Sequence, residues 1–119
     1  MSYVDGFVLA VPKDRIDAYR EFARKAGEVW KEHGARAYVE CVADDVPYGE
    51  ITSFPRAVQA GEGEVVVFSW ITYDSREQRD AVNAKVMEDP RIKDQQMDAD
   101  APFDGKRMIY GGFTTLLAL

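Results

Sequence analysis

The sequence is poor in the residues from which metal and disulfide sites are built. It contains one cysteine, Cys41, and one histidine, His33, among 119 residues. A single cysteine cannot form an intrachain disulfide, and these two residues cannot supply the four ligands of a structural zinc site. We therefore expect a protein without a metal centre or another cofactor.

Long apolar runs and an excess of basic charge are also missing. No stretch approaches the ~20 apolar residues that span a bilayer, and residues 1–5 lack the basic and apolar regions of a signal peptide. Acidic residues outnumber basic ones by 21 to 15, and the net charge of −6 repels phosphate backbones. The sequence therefore predicts a cytoplasmic protein that binds neither membranes nor nucleic acid.

The most informative stretch present is Val65-Val66-Val67-Phe68-Ser69-Trp70-Ile71. It is typical of a β-strand, predicted over residues 64–73, and is apolar on both faces, whereas a strand with one face in water would alternate. Two helices, predicted over residues 13–33 and 75–88, suffice to cover one face of the sheet. We expect the other face to meet a second copy of the chain, which predicts a homodimer formed through the sheet.

Three further strands are predicted, over residues 3–11, 36–46 and 106–116. The order β-α-β-β-α-β is the split βαβ topology of ferredoxin-like α+β proteins. Right-handed connections place the first and third strands in the centre and both helices on one face. We expect one such domain over residues 1–119, followed by an apolar C-terminus that either packs in the dimer or is exposed.

Several segments together resemble a known family. They are YVDGFV at residues 3–8, EC at 40–41, DDVP at 44–47, the strand at 65–71, DPR at 89–91 and, most specifically, PFDGKRMIYGGF at 102–113. On these segments the chain resembles the YbaA-like family of uncharacterised bacterial proteins, a branch of the dimeric α/β-barrel superfamily. The resemblance implies a ferredoxin-like protomer whose sheet pairs with that of a second copy. It implies no particular activity, because fold analogy is a weak guide to function.

Two carboxylates fall within predicted strands, where a charge is costly unless it is paired. Asp5 and Glu40 are therefore candidates for a general acid or base whose pKa burial raises. The alternative is a structural ion pair with Arg36, Lys106 or Arg107.

His33 lies at the end of the predicted first helix. It is a candidate for steadying an anion formed in the reaction, or else a helix-end histidine bonded to a carbonyl. Cys41 is a candidate nucleophile or a small buried apolar residue. The acidic residues Asp44, Asp45 and Glu50 match no calcium loop and are interpreted as solvated surface.

Large apolar side chains on the strands form a second candidate set. They either line a pocket for a small apolar or aromatic ligand or fill the core of a dimer interface: Phe7, Phe68, Trp70, Met108 and Tyr110. Strand alternation places Lys106 and Arg107 on opposite faces, so that Arg107 is a candidate for holding an anionic group.

These patterns predict a protein that binds a small apolar or aromatic molecule in a cavity gated by the connection at residues 44–63. They leave open whether it is an enzyme. Cofactor-free acid/base chemistry of a monooxygenase or isomerase type is one hypothesis. The alternative is a non-catalytic ligand-sensing or structural homodimer.

Overall fold

Four antiparallel strands form one sheet in the computed structural model, which describes residues 2–96 and 101–119. The strands are β1 (Tyr3–Pro12), β2 (Ala37–Val42), β3 (Glu64–Tyr73) and β4 (Ile109–Thr114). Their spatial order is β2-β3-β1-β4, which places the first and third strands in the centre. The predicted ferredoxin-like α+β fold is confirmed.

The described part of the chain also forms the helices α1 (Ile16–Glu32), α2 (Phe54–Ala57), α3 (Arg76–Glu88) and α4 (Pro90–Gln96), with short 3-10 turns at Lys13–Arg15 and Gly105–Arg107. Local chemistry sets their ends. Gly34 follows α1 with a φ of +118°, a conformation that L side chains rarely adopt. Ser75 caps α3, accepting a hydrogen bond of 3.1 Å from the Gln78 amide. None of these helices combines the length and apolarity needed to cross a membrane.

The helices cover one face of the sheet, which we call the helix face. Successive side chains of a strand point to opposite faces, and the odd-numbered residues of β1 and β3 point toward the helices. The buried core lies between these two layers. Its largest fully buried members include Leu9, Val11, Val29, Val67, Tyr73 and Val86.

The opposite face, which we call the open face, carries the even-numbered residues of β1 and β3. The connection at residues 43–63 covers one part of it, because the buried Val58 packs with Val8, Ala10 and Val66. Large apolar side chains elsewhere on this face stay in contact with solvent. Phe68, Ile109 and Phe113 are 42%, 46% and 63% exposed.

The last strand begins three residues later than the sequence predicts. The Asp104 side chain accepts a hydrogen bond of 3.0 Å from the Lys106 amide and holds residues 105–107 in a 3-10 turn. The prediction that Lys106 and Arg107 alternate across a strand is therefore wrong. The second strand is also shorter than predicted, and the leucines of residues 116–119 are exposed.

Candidate functional site

A cavity of about 640 Å³ lies between the helix face of the sheet and the helices. Side chains from α1, α3, α4 and residues 101–108 surround it. A groove of about 660 Å³ runs outside it, between α1 and the edge strand β2. Tyr19, Tyr38 and Glu40 line both spaces, so the cavity borders the groove at Glu40.

Two rows of side chains that cross the four strands form the floor of the cavity. The strand register places Glu40, Ser69, Phe7 and Tyr110 in one row, and Tyr38, Ile71, Asp5 and Gly112 in the next. Neighbouring strands lie about 4.8 Å apart. Glu40 is therefore about 10 Å from Phe7 along its row, with the small side chain of Ser69 between them.

Glu40 is held by hydroxyl groups. Tyr19 Oη donates a hydrogen bond of 2.7 Å to Glu40 Oε1. Burial raises the pKa of Glu40, although hydrogen bonds from the hydroxyls of Tyr19, Tyr38 and Ser69 lower it in part. In the part of the chain that the structure describes, no basic side chain forms an ion pair with Glu40. Burial and the neighbouring carboxyl raise the pKa of Tyr19 and Tyr38, so both tyrosines keep their donor protons.

Asp5 is held by a cation. Arg79 Nε lies 3.2 Å from Asp5 Oδ1, and the two side chains are 20% and 12% exposed. The two groups form an ion pair in which the Arg79 charge faces the Asp5 carboxylate. Burial raises the pKa of Asp5, while the charge of Arg79 and the Tyr73 hydroxyl act in the opposite direction. Arg79 Nη2 also donates a hydrogen bond of 3.1 Å to Tyr3 Oη.

Two glycines make room for these side chains. A Cβ atom at Gly112 would lie 2.2 Å from Arg79 Nη2 and 2.3 Å from Tyr3 Oη. A Cβ atom at Gly27 would lie 2.7 Å from Tyr38 Cδ1. Both distances are far below van der Waals contact, so each position needs the absence of a side chain for its neighbours to keep their places.

The structure brings five of the predicted site residues together around the cavity: Asp5, Phe7, Glu40, Met108 and Tyr110. It places the others elsewhere. His33 Nε2 lies 3.0 Å from Asp89 Oδ2 at the end of α1, in a separate surface pocket. Phe68 lies on the open face. Trp70 borders the cavity, but strand alternation places its side chain beside Phe68, with the ring centroids 5.6 Å apart.

Arg107 also lies away from the cavity. It forms ion pairs of 2.7 Å with Glu64 and 3.1 Å with Asp104. The predicted structural partners of Asp5 and Glu40 were wrong as well, because the cation beside Asp5 is Arg79, and Arg36 pairs with Asp74.

The connection at residues 44–63 does not cover this cavity. Its buried Val58 packs on the open face, on the other side of the sheet. This connection therefore does not gate the cavity between the sheet and the helices. Cys41 is exposed on β2 rather than buried, and no group of three or more His, Cys, Asp or Glu side chains within residues 2–96 and 101–119 is placed to hold a metal ion.

The chain matches one protein family over most of its length. The family described as "Protein of unknown function (DUF1428)" matches residues 2–105. The chain belongs to this family. It is 59% identical over 117 residues to "Uncharacterized protein YbaA" of Escherichia coli (strain K12), covering 98% of each chain, and equally identical to the protein of that name from Shigella flexneri. The predicted family resemblance is confirmed.

One solved structure aligned with the chain is a "De novo designed protein Foldit4", with a TM-score of 0.48 and 14% sequence identity. The alignment covers 97% of this chain and 99% of that one.

Sequence reasoning missed most of the polar residues that line the cavity beside the two carboxylates, among them Tyr19, Arg79 and Asn83. Asn83 accepts a hydrogen bond of 3.2 Å from the Trp30 indole. A signal for Arg79 was present, because it precedes the buried Val82 by three residues and so shares its side of α3. A basic residue on the buried side of a helix predicts a buried carboxylate partner.

Proposed function

We propose that the protein binds a small apolar or aromatic molecule in the cavity between the sheet and the helices. Glu40 contacts the polar group of this molecule, and the aromatic walls contact its body. The observation that carries the proposal is the half-buried carboxyl of Glu40, supported by hydroxyls at the border of a largely apolar cavity. Small-molecule sites are typically apolar, with few polar groups that orient the ligand.

A structural role accounts for Asp5 better than for Glu40. Buried carboxylates that serve the fold are normally paired with a cation, as Asp5 is with Arg79. Glu40 lacks such a partner among the described residues, and it borders the groove through which a ligand can approach. These two properties support a binding role for Glu40.

The same carboxyl has the properties that a general acid or base requires. Burial raises its pKa, and burial is one of the ways in which enzymes tune a carboxyl group for proton transfer. Glu40 is therefore the residue that we assign to cofactor-free proton transfer, if the bound molecule is also converted. Asp5, tied to Arg79, serves to shape the cavity.

Protein-detected NMR with a library of apolar and aromatic fragments tests the binding proposal. We expect bound fragments to shift the Trp30 indole resonance and the amides of residues 67–71. Ser69→Leu fills the floor between Glu40 and Phe7 and should abolish binding. Thr52→Leu, an exposed residue of the connection, is the matched control. Fragments whose shifts survive Ser69→Leu, or a library without binders, would contradict the proposal.

The open face favours a second role, and we propose that two copies of the chain associate through it. Its exposed side chains on β3 and β4 are apolar, including Phe68, Ile109 and Phe113. The charged strand residue on this face is Glu64 at the start of β3, and Arg107 neutralises it in an ion pair of 2.7 Å. Exposed apolar patches of this kind mark interaction sites. A two-fold symmetric dimer buries the same patch of both copies, so one apolar face is enough to form it.

Sedimentation velocity tests the association. We expect a dimer for the wild-type chain and a monomer for the double variant Phe68→Asp/Phe113→Asp. Ile51→Asp, which changes an exposed residue of the connection, should leave the dimer intact. A monomeric wild-type protein would overturn this second role without affecting the cavity.

A further inference from the structure

We propose that the cavity takes a protonated amine, whose ammonium group lies against the Glu40 carboxylate. This inference rests on the binding function proposed above and names the chemical class of the ligand. It follows from the charge, the aromatic lining and the dimensions of the cavity.

The charges that line the cavity do not balance. Asp5, Glu40 and Arg79 are the acidic and basic side chains among its described lining residues. Arg79 lies 3.2 Å from Asp5 and is also in contact with Asp80 on its own helix, 2.9 Å away. One carboxyl, that of Glu40, is left without a counter-charge. A ligand that brings a positive charge supplies what the protein does not.

The walls of the cavity are suited to the same charge. Aromatic rings line it on several sides: Phe7, Tyr19, Phe22, Trp30, Tyr38, Phe103 and Tyr110. The faces of such rings attract cations through their quadrupole. Tyr38 precedes Glu40 by two residues on the same side of β2, and its ring centroid lies 6.2 Å from that of Trp30. An ammonium group at Glu40 therefore meets a carboxylate and ring surfaces together.

The floor of the cavity defines the rest of the ligand. Ser69 leaves a low point between Glu40 and Phe7, which are about 10 Å apart across two strand spacings. Beyond it, Phe7 packs on Tyr110 with ring centroids 6.2 Å apart. A molecule that reaches from Glu40 to this ring pair has a short chain between its ammonium group and an aromatic or aliphatic body.

Anionic and neutral ligands fit the cavity less well. A carboxylate placed at the same point would face the negative charge of Glu40, whereas Arg79 already has Asp5, Asp80 and Tyr3 as partners. An alcohol can donate a hydrogen bond to the Glu40 carboxylate, but it brings no positive charge to the cavity. An ammonium group adds a Coulombic attraction to the carboxylate that a neutral alcohol lacks, so the amine should be preferred.

A matched set of three compounds tests this inference by isothermal titration calorimetry on the full chain. 2-Phenylethylamine, 2-phenylethanol and 3-phenylpropionate share one ring and a similar reach but differ in charge. We expect the amine to bind about tenfold more tightly than the alcohol, with the carboxylate weakest. Glu40→Gln should weaken the amine about tenfold and change the affinity of the alcohol less than about twofold.

Two further variants complete the test. Glu40→Asp keeps the charge and should retain the preference for the amine, whereas Glu62→Gln, an exposed acid of the connection, should change nothing. Equal binding of amine and alcohol, or tightest binding of the carboxylate, would overturn the amine proposal while leaving the cavity as a binding site. If the fragment library also finds no ligand, the proposed function itself fails.

Discussion

Asp5 and Glu40 lie on the same face of the same sheet, in neighbouring rows, and burial raises the pKa of both. They differ in what surrounds them. Asp5 lies on a central strand against Arg79, whereas Glu40 lies on an edge strand among hydroxyl groups. The charge of a carboxylate that contacts a cation within the fold is neutralised whether or not a ligand is bound. One that meets only hydroxyls has an unmatched charge that an incoming ligand can neutralise.

The largest expected effect comes from removing the cation beside Asp5. Arg79→Ala leaves Asp5 as a buried charge without its partner, and breaking a buried pair costs several kcal/mol. Because both side chains keep some solvent contact, we expect the free energy of unfolding at pH 8 to fall by about 3 kcal/mol. Urea denaturation measures it.

Arg76→Ala is the matched control, because this arginine of the same helix is 72% exposed. It should change the free energy of unfolding by about 0.5 kcal/mol or less. The cost of Arg79→Ala should also shrink as the pH falls, since protonated Asp5 needs no counter-charge. Equal costs for the two variants would show that Asp5 and Arg79 are not coupled.

Neutralising the other carboxyl should have a smaller effect of opposite sign. Because the folded-state pKa of Glu40 is raised, the folded chain holds this proton more tightly than the unfolded chain. The stability that this proton contributes is complete below the ordinary value of 4.5 and is lost as the pH rises through the raised pKa. Glu40→Gln removes that loss, so we expect a gain of about 1 kcal/mol at pH 8.

Thermal unfolding from pH 4 to pH 8 measures this gain, which should disappear at the acidic end of the range. Glu62→Gln, at an exposed position, should show no such dependence on pH. A variant Glu40→Gln that is less stable than the wild type at pH 8 would mean that the carboxylate is paired after all.

The smallest expected change in stability comes from removing one of the hydroxyl groups that hold Glu40. Tyr19→Phe removes the 2.7 Å hydrogen bond to the carboxyl and should lower the free energy of unfolding by about 0.5–1 kcal/mol. Combined with Glu40→Gln, it should cost less than it does alone, because the acceptor is then weaker. A double-mutant cycle measures the difference, and strict additivity would show that the two residues do not interact.

The sequence predicted the sheet more completely than the site. Residues 64–73 carry apolar side chains at both parities, and that pattern located β3 at its observed bounds. The period of two then placed Asp5 and Glu40 inside strands, where the structure has them. Both conclusions depend on local pattern alone, which a single sequence contains.

The partners of these carboxylates were beyond that kind of reasoning. Arg79 lies 74 positions after Asp5 and contacts it only because α3 packs on the same face of the sheet. Local sequence favoured Arg36, Lys106 or Arg107 as the partner instead. Which of several arginines reaches a buried acid depends on how helices lie across strands, and no local pattern contains that information.

The end of the chain shows a different limit. Lys106 and Arg107 continue into an apolar stretch, so periodicity assigned them to the last strand. The side chain of Asp104 accepts a hydrogen bond from the Lys106 amide, and the strand begins only at Ile109. A single side-chain hydrogen bond can decide whether a backbone amide joins a strand. Hydrophobic periodicity contains no information about such a bond.

The pairing of β1 with β4 has a consequence for how the chain folds. Tyr3, near the start of the sequence, is registered against Thr114, near its end. Contacts between such distant positions must overcome a large loop-closure entropy and slow folding. During synthesis on the ribosome, one edge of β1 stays unpaired until residues 109–114 have emerged. Until then the growing chain exposes a strand edge of the kind that chaperones protect from aggregation.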